Sequence, residues 1–191
     1  MTMATLSRAA YAQSGLTLAS LGLGIVLLLQ AGGPASSPLG HALPLLALAQ
    51  SLKLLSAIAL GLCVAGVPLS LQRPGATLLG LTCGVAAVLT MAGAALAGAY
   101  AILAARPTLA TPIAWLGIAS VALIGVWVLT ILSTHALPLG KFTRIAGLLF
   151  GASAILALLV PMVGLLAALA GIGWWAMLGR AAARPPDRDK L

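Results

Sequence analysis

The feature that most constrains this chain is a series of long apolar stretches with almost no charged residues. The chain has ten Lys and Arg and two Asp and Glu among 191 residues, and 62% of its residues are hydrophobic. That leaves too few polar side chains for a water-soluble fold, in which about a quarter of residues are charged. The stretches are rich in Ala, Leu and Gly and lack the alternation of membrane barrel strands. The sequence therefore predicts an all-α integral membrane protein.

Breaks between the apolar stretches predict about six transmembrane helices, since one span needs about 20 residues. We interpret the first stretch, which begins like a secretory signal after Arg8, as a membrane helix. One transmembrane domain is expected over residues 1–180, followed by a basic cytoplasmic tail over 181–191 that we expect to be disordered. The predicted spans cover residues 9–32, 42–71, 76–103, 113–132, 145–160 and 162–179.

The number of spans depends on the apolar stretch over residues 145–179. As one helix it would be about 52 Å long, which is too long for a single crossing. Pro161 and Gly164 predict a break into two spans. The alternatives are five spans with a long bent last helix, or a re-entrant hairpin.

The distribution of basic residues favours six spans with both termini in the cytoplasm. In that arrangement only Arg106 lies in an external loop, as the positive-inside rule requires. The expected location is the cytoplasmic (inner) membrane. The basic residues on the cytoplasmic side would be Arg8, Arg73, Lys141, Arg144, Arg180, Arg184, Arg188 and Lys190.

The acidic and metal-binding residue types exclude several classes of function. The only acids, Asp187 and Asp189, lie in the predicted tail, which disfavours proton-coupled transport and carboxylate-based metal enzymes. His41 and His135 are expected at opposite membrane faces, so we assign no metal site and no catalytic residue. The basic residues form no patch for nucleic acid. We predict no cofactor, with a bound lipid as the one small molecule considered.

Lys53 is the one charged residue that the predicted topology does not put in a loop. A lysine within a span is by default a functional hypothesis. Gln50 and Ser56 follow the same helix face at three-residue spacing, so the three residues form a candidate site for a ligand or partner. The alternative is that Lys53 extends to the outer headgroups.

Two further sets of residues are candidates for pairing or packing. Cys63 and Cys83 lie about ten residues to either side of Arg73, so a thiol pair is one interpretation and separate buried thiols are the other. Glycines at four-residue spacing predict close helix contacts, within this bundle or with another chain. These glycines are Gly80 with Gly84 and Gly147 with Gly151.

Tryptophans near the predicted span ends suggest interfacial anchors. Trp115 lies near the outer end of the fourth span, and Trp174 with Trp175 near the inner end of the sixth. Trp127 falls inside a span, where packing is the expected role.

Two segments carry a resemblance to known proteins. The Lys-x-x-Arg-Ile-Ala-Gly sequence at 141–147 and the Gly-Trp-Trp-Ala-Met-Leu-Gly-Arg sequence at 173–180 resemble uncharacterised bacterial multi-pass membrane proteins assigned to domains of unknown function. The resemblance implies a helical multi-pass fold and supplies no reaction or site.

The sequence alone favours a non-catalytic accessory or scaffold subunit of a larger membrane complex. It has little soluble mass, no evident catalytic group and small residues suited to helix contacts. The expected partners are membrane lipids and either other membrane subunits or further copies of this chain. One alternative is a small transporter or channel-like protein with an anion- or lipid-facing site near Lys53. Another is a membrane thiol redox enzyme that uses Cys63 and Cys83.

Overall fold

The described part of the chain is helical and contains no strand. The structure is a computed structural model that describes residues 2–31, 42–71, 78–133, 139–160 and 162–183. Five of the helices are long and apolar enough to cross a membrane, which confirms the predicted all-α membrane bundle. The helices are α1 (Met3–Ala31), α2 (Ala42–Leu71), α3 (Leu78–Leu103), α4 (Ala110–Ser133), α5 (Lys141–Leu156) and α6 (Val163–Ala183), with a 3₁₀ turn over Pro107–Leu109.

Among the described helices, α5 is shorter than the thickness of a membrane. It has 16 residues and is about 24 Å long, whereas the hydrocarbon core of a bilayer is about 30 Å thick. Backbone hydrogen bonds prolong its last turn, because the Val160 N–H donates to the Leu156 carbonyl oxygen at 2.9 Å. The chain then reverses and α6 packs back along α5, with Gly171 against the Phe150 ring. The alternative of one long bent helix is therefore wrong. Pro161, the predicted break, lies outside the described residues.

The six helices form a closed ring. Each helix packs against the next one in the chain, and α6 packs against α1. Two side chains of α1 fix the closing contact: Ser7 Oγ donates to the Gly179 carbonyl oxygen at 2.9 Å and Ser14 Oγ to that of Ile172 at 3.0 Å. From Ser7 to Ser14 the donors advance seven residues along α1, while the acceptors go back seven residues along α6, from Gly179 to Ile172. These two helices are therefore antiparallel.

Glycines allow the helices of the ring to approach closely. A Cβ at Gly84 of α3 would lie 2.7 Å from Val64 Cγ1 on α2 and 2.8 Å from Trp127 Cδ1 on α4. A Cβ at Gly125 of α4 would lie 2.7 Å from the Gly151 carbonyl oxygen on α5. Gly84 and Gly151, two of the predicted packing glycines, thus make contacts inside this bundle.

The remaining predicted glycines are buried as well. Gly147 of α5 fits between Trp174 Cζ3 and Leu132 Cδ1, which would lie 2.6 and 2.8 Å from an added Cβ. Gly80 is buried on α3. A second helix chain could not use Gly84, Gly147 or Gly151 as a docking face, because neighbouring helices of the same chain already cover them.

Several helices extend beyond the predicted spans. The first begins at Met3, the fourth at Ala110 and the fifth at Lys141, and the sixth continues to Ala183. The first three residues of the predicted tail are therefore helical. Residues 184–191, which include Asp187 and Asp189, lie outside the described residues, as do His41, Arg73 and His135.

The described basic residues at the ends of the helices divide unequally between the two ends of the ring. Arg8 lies near the start of α1, Lys141 and Arg144 at the start of α5, and Arg180 in the last turn of α6. The antiparallel contacts bring these termini to one end of the bundle, while Arg106 follows α3 at the other. Which end faces the cytoplasm stays a prediction from the positive-inside rule.

Candidate functional site: a cavity inside the helix ring

A cavity of about 220 Å³ lies inside the ring, lined by residues of all six helices. On α1, α2 and α3 the lining residues fall near the middle of the helix, so the cavity lies about halfway along these helices. Its walls are mostly apolar, with contributions from Met91, Ile124, Phe150 and Trp175. The hydrogen-bonding and charged residues of the lining are Gln13, Thr17 and Ser20 on α1, Lys53 and Ser56 on α2, and Ser120 on α4.

Hydrogen bonds hold part of the polar lining in place. Ser56 Oγ donates to Gln13 Oε1 at 3.2 Å, which links α2 to α1 across buried side chains. Because Gln13 Oε1 accepts that bond, its amide nitrogen keeps two N–H donors. Thr17 Oγ1 donates to the Gln13 carbonyl oxygen at 2.8 Å and Ser120 Oγ to that of Gly117 at 2.7 Å. Hydrogen bonds thus fix these polar side chains, while the Gln13 amide N–H groups remain available to a ligand.

Among the described residues, Lys53 is the only charged one that lines the cavity. At 1.5 Å per residue it lies about 16 Å from the start of α2 and about 27 Å from its end. Lys53 makes no ion pair with any described residue, and the two acids of the chain lie outside the described part. Its ammonium therefore has no anionic partner within the described helices.

An aromatic cluster closes one side of the cavity. The Trp127 and Trp175 rings stack with centroids 6.0 Å apart, and Phe150 meets Trp175 edge-on at 6.2 Å. Packing was the role expected for Trp127, and its 2% exposure confirms it. The interfacial role expected for Trp174 and Trp175 is wrong, because both are 1% exposed or less. The sequence placed this pair at a span end, whereas α6 continues for two further turns.

Of the three residues predicted to form a ligand site on α2, two line the cavity and one does not. Lys53 and Ser56 share the lining. Gln50 packs instead against α3, where an added Cβ on Gly98 would lie 2.5 Å from Gln50 Oε1. That oxygen is buried and has no hydrogen-bond partner.

The polar residues of α1 and α4 were missed by the sequence analysis. Gln13, Thr17 and Ser20 are spaced four and three residues apart, which places them on one face of a helix. This spacing was a usable signal, although α1 has other polar residues, among them Ser7 and Ser14. Ser120 stands alone among apolar neighbours on α4 and offered no comparable pattern.

The two cysteines are free thiols. Cys63 is fully buried in the core, and Cys83 is partly buried and packs against the core. No group of three or more metal-ligating side chains occurs within the described ranges. The redox role considered for the pair stays a prediction.

Comparison with known proteins assigns no family or function to the chain. No family model matches the chain, and neither the curated proteins nor the solved structures gave a match. Function has to be argued from the cavity itself.

Proposed function

We propose that this multi-pass membrane protein binds a small anion in the cavity of the ring and conducts or transports it across the membrane. One observation carries the proposal: the only charged side chain of the cavity, Lys53, has no acidic partner among the described residues. An uncompensated lysine in a span costs about 2.5–3.5 kcal/mol. A bound anion would offset that cost.

The surroundings of Lys53 suit an anion. Gln13 offers two amide N–H donors, and the hydroxyl of Ser20 lies in the same lining. Charge–charge attraction is stronger in an apolar cavity than in water, because the dielectric constant is lower. The same lining has no carboxylate to repel the anion.

The size of the cavity limits the ligand. Drug-sized ligands occupy pockets of about 300–1,000 Å³, whereas this cavity has about 220 Å³. One water takes up about 30 Å³ of liquid, so the cavity holds a few waters or an anion of a few atoms. Halides, nitrate and small carboxylates are the class we propose. A whole phospholipid does not fit.

Anion flux into proteoliposomes tests the proposal. We expect the wild-type chain to admit chloride and nitrate when the membrane potential is clamped, and Lys53→Met to abolish that flux. The matched control is Lys141→Met, which removes the same charge from an exposed position at the start of α5. Flux that is unchanged in Lys53→Met, or no higher in the wild type than in empty vesicles, contradicts the proposal.

The proposed orientation puts both termini and the basic end of the ring in the cytoplasm, in the inner membrane of a bacterium. The unequal distribution of basic residues between the two ends of the ring supports this orientation through the positive-inside rule. One end has Arg8, Lys141, Arg144 and Arg180, and the other has Arg106. Anions entering from either side would then meet flanking positive charge before they reach Lys53.

A second candidate is the role of accessory or scaffold subunit in a larger membrane complex. Ala19 and Gly22 on α1 are exposed outside the ring, and an added Cβ on Gly22 would meet nothing within 4 Å. Small residues of this kind let another membrane helix approach closely. Co-purification of a fixed stoichiometry of another chain, lost in Gly22→Leu, would favour this role.

A further inference from the structure

A groove on the outer surface of the ring runs between α1 and α2 and does not share any lining residue with the cavity. It has a volume of about 560 Å³. Small residues of α1 form its floor, and branched residues of α2 form its opposite wall. The groove is lined by Thr5, Arg8, Ala9, Ala12, Gly15 and Leu16 on α1 and by Leu55, Ile58, Ala59 and Leu62 on α2.

The lining of the groove is apolar, and Arg8 lies at the end of the groove that is nearest the start of α1. Leu55 and Ile58 remain 51% and 62% exposed, so they face whatever lies against the outside of the ring. Arg8 lies near the start of α1, is exposed, and has no ion pair with a described residue. Thr5 lies one turn before Arg8 on the same helix, and its hydroxyl is within hydrogen-bond distance of the Thr2 hydroxyl, at 2.9 Å.

We propose that this groove holds one anionic phospholipid, with an acyl chain along Ala12, Gly15 and Leu55 and the headgroup phosphate on Arg8. Arginine donates two parallel hydrogen bonds to a phosphate, which a lipid of the same leaflet would present at the level of the helix ends. The groove has room for a flexible chain because three of its α1 residues, Ala9, Ala12 and Gly15, are small. The positive end of the ring also favours an anionic lipid over a zwitterionic one.

A second transmembrane helix fits these features less well than a lipid. A helix packed into the groove would bring its own apolar face to Leu55 and Ile58, but it would give Arg8 an anion only if it carried an acidic residue at that level. A phospholipid satisfies both ends of the groove at once. The proposal therefore commits to the lipid, and a second copy of the chain is an outcome that the test detects.

Native mass spectrometry of the full chain from phosphatidylglycerol and phosphatidylcholine mixed micelles tests the assignment. We expect one phosphatidylglycerol to be retained preferentially. Arg8→Gln should weaken that retention by about five-fold, as expected for about 1 kcal/mol per basic residue at an anionic surface. The control Arg106→Gln removes a charge from the opposite end of the bundle and should leave retention unchanged.

Filling the groove provides an independent variant. Gly15→Leu adds a side chain where an added Cβ meets nothing within 4 Å, so it should displace the acyl chain without disturbing the fold. Gly22→Leu is equally unobstructed but lies outside the groove, and it should retain the lipid. Equal retention of both lipids by the wild type, retention unchanged in Arg8→Gln and Gly15→Leu, or a dimer lost in Gly15→Leu would each overturn the proposal.

Discussion

At the scale of single residues, Lys53 lies near the middle of α2 and lines the cavity beside polar side chains of α1 and α2. Ser56 and Gln13 form a buried hydrogen bond beside it, and the cavity leaves room for water or an anion around its ammonium. Spacing along α2 predicted that Lys53 and Ser56 share a face. It did not predict that Gln50 packs against α3. That contact depends on the space beside Gly98, which has no side chain, and the spacing along α2 contains no information about α3.

Close backbone contact predicts which glycine is least replaceable. Gly125→Ala would put a Cβ 2.7 Å from the Gly151 carbonyl oxygen, a backbone atom that cannot rotate away. We expect the free energy of unfolding to fall by about 1–3 kcal/mol, the usual cost of overpacking. Thermal unfolding in a mild detergent measures the change.

The control for this prediction is Gly93→Ala. Gly93 is exposed on α3 and an added Cβ would meet nothing within 4 Å. Alanine also favours a helix more than glycine does, so this variant should unfold at the wild-type temperature or above. Equal stability of Gly125→Ala and Gly93→Ala would show that α4 and α5 are not in such close contact.

At the level of helices, apolar runs and their breaks predicted the number of elements but not their neighbours. A membrane helix is apolar on all sides, so its sequence gives little indication of which face meets which helix. The contact of α1 with α6 depends on serine hydroxyls that bond to backbone carbonyls, as at Ser7 and Gly179. Such bonds have no sequence signature, which is why closure of the ring was not predicted.

Arg106 precedes α4 and Phe142 lies at the start of α5, so the two positions mark opposite ends of the bundle. Cysteines introduced as Arg106→Cys and Phe142→Cys, with Cys63 and Cys83 replaced by alanine, report the two ends of the bundle. We expect a membrane-impermeant maleimide added outside intact cells to label position 106 and not position 142, as the positive-inside rule requires.

Labelling of both positions after permeabilisation is the control for access. External labelling of position 142 alone would show that the bundle has the opposite orientation. External labelling of both would mean that α4 does not separate them across the membrane, contrary to its 24-residue apolar span.

At the level of the whole molecule, the packing of six helices in a ring forms the cavity that Lys53 lines. Closure of α6 on α1 encloses the space that α1, α2 and α4 line with polar groups. Sequence alone could mark Lys53 as unusual because it is a charge inside an apolar run. It could not show that neutral residues of other helices face it, since that depends on the order of the helices around the ring.

Anomalous diffraction from crystals grown in bromide tests the central claim, a small-anion site at Lys53, most directly. The account predicts a bromide peak inside the ring in contact with Lys53 Nζ, and no such peak in the Lys53→Met variant. A cavity without bromide in the wild type, with Lys53 extended to the outer headgroups, would contradict it.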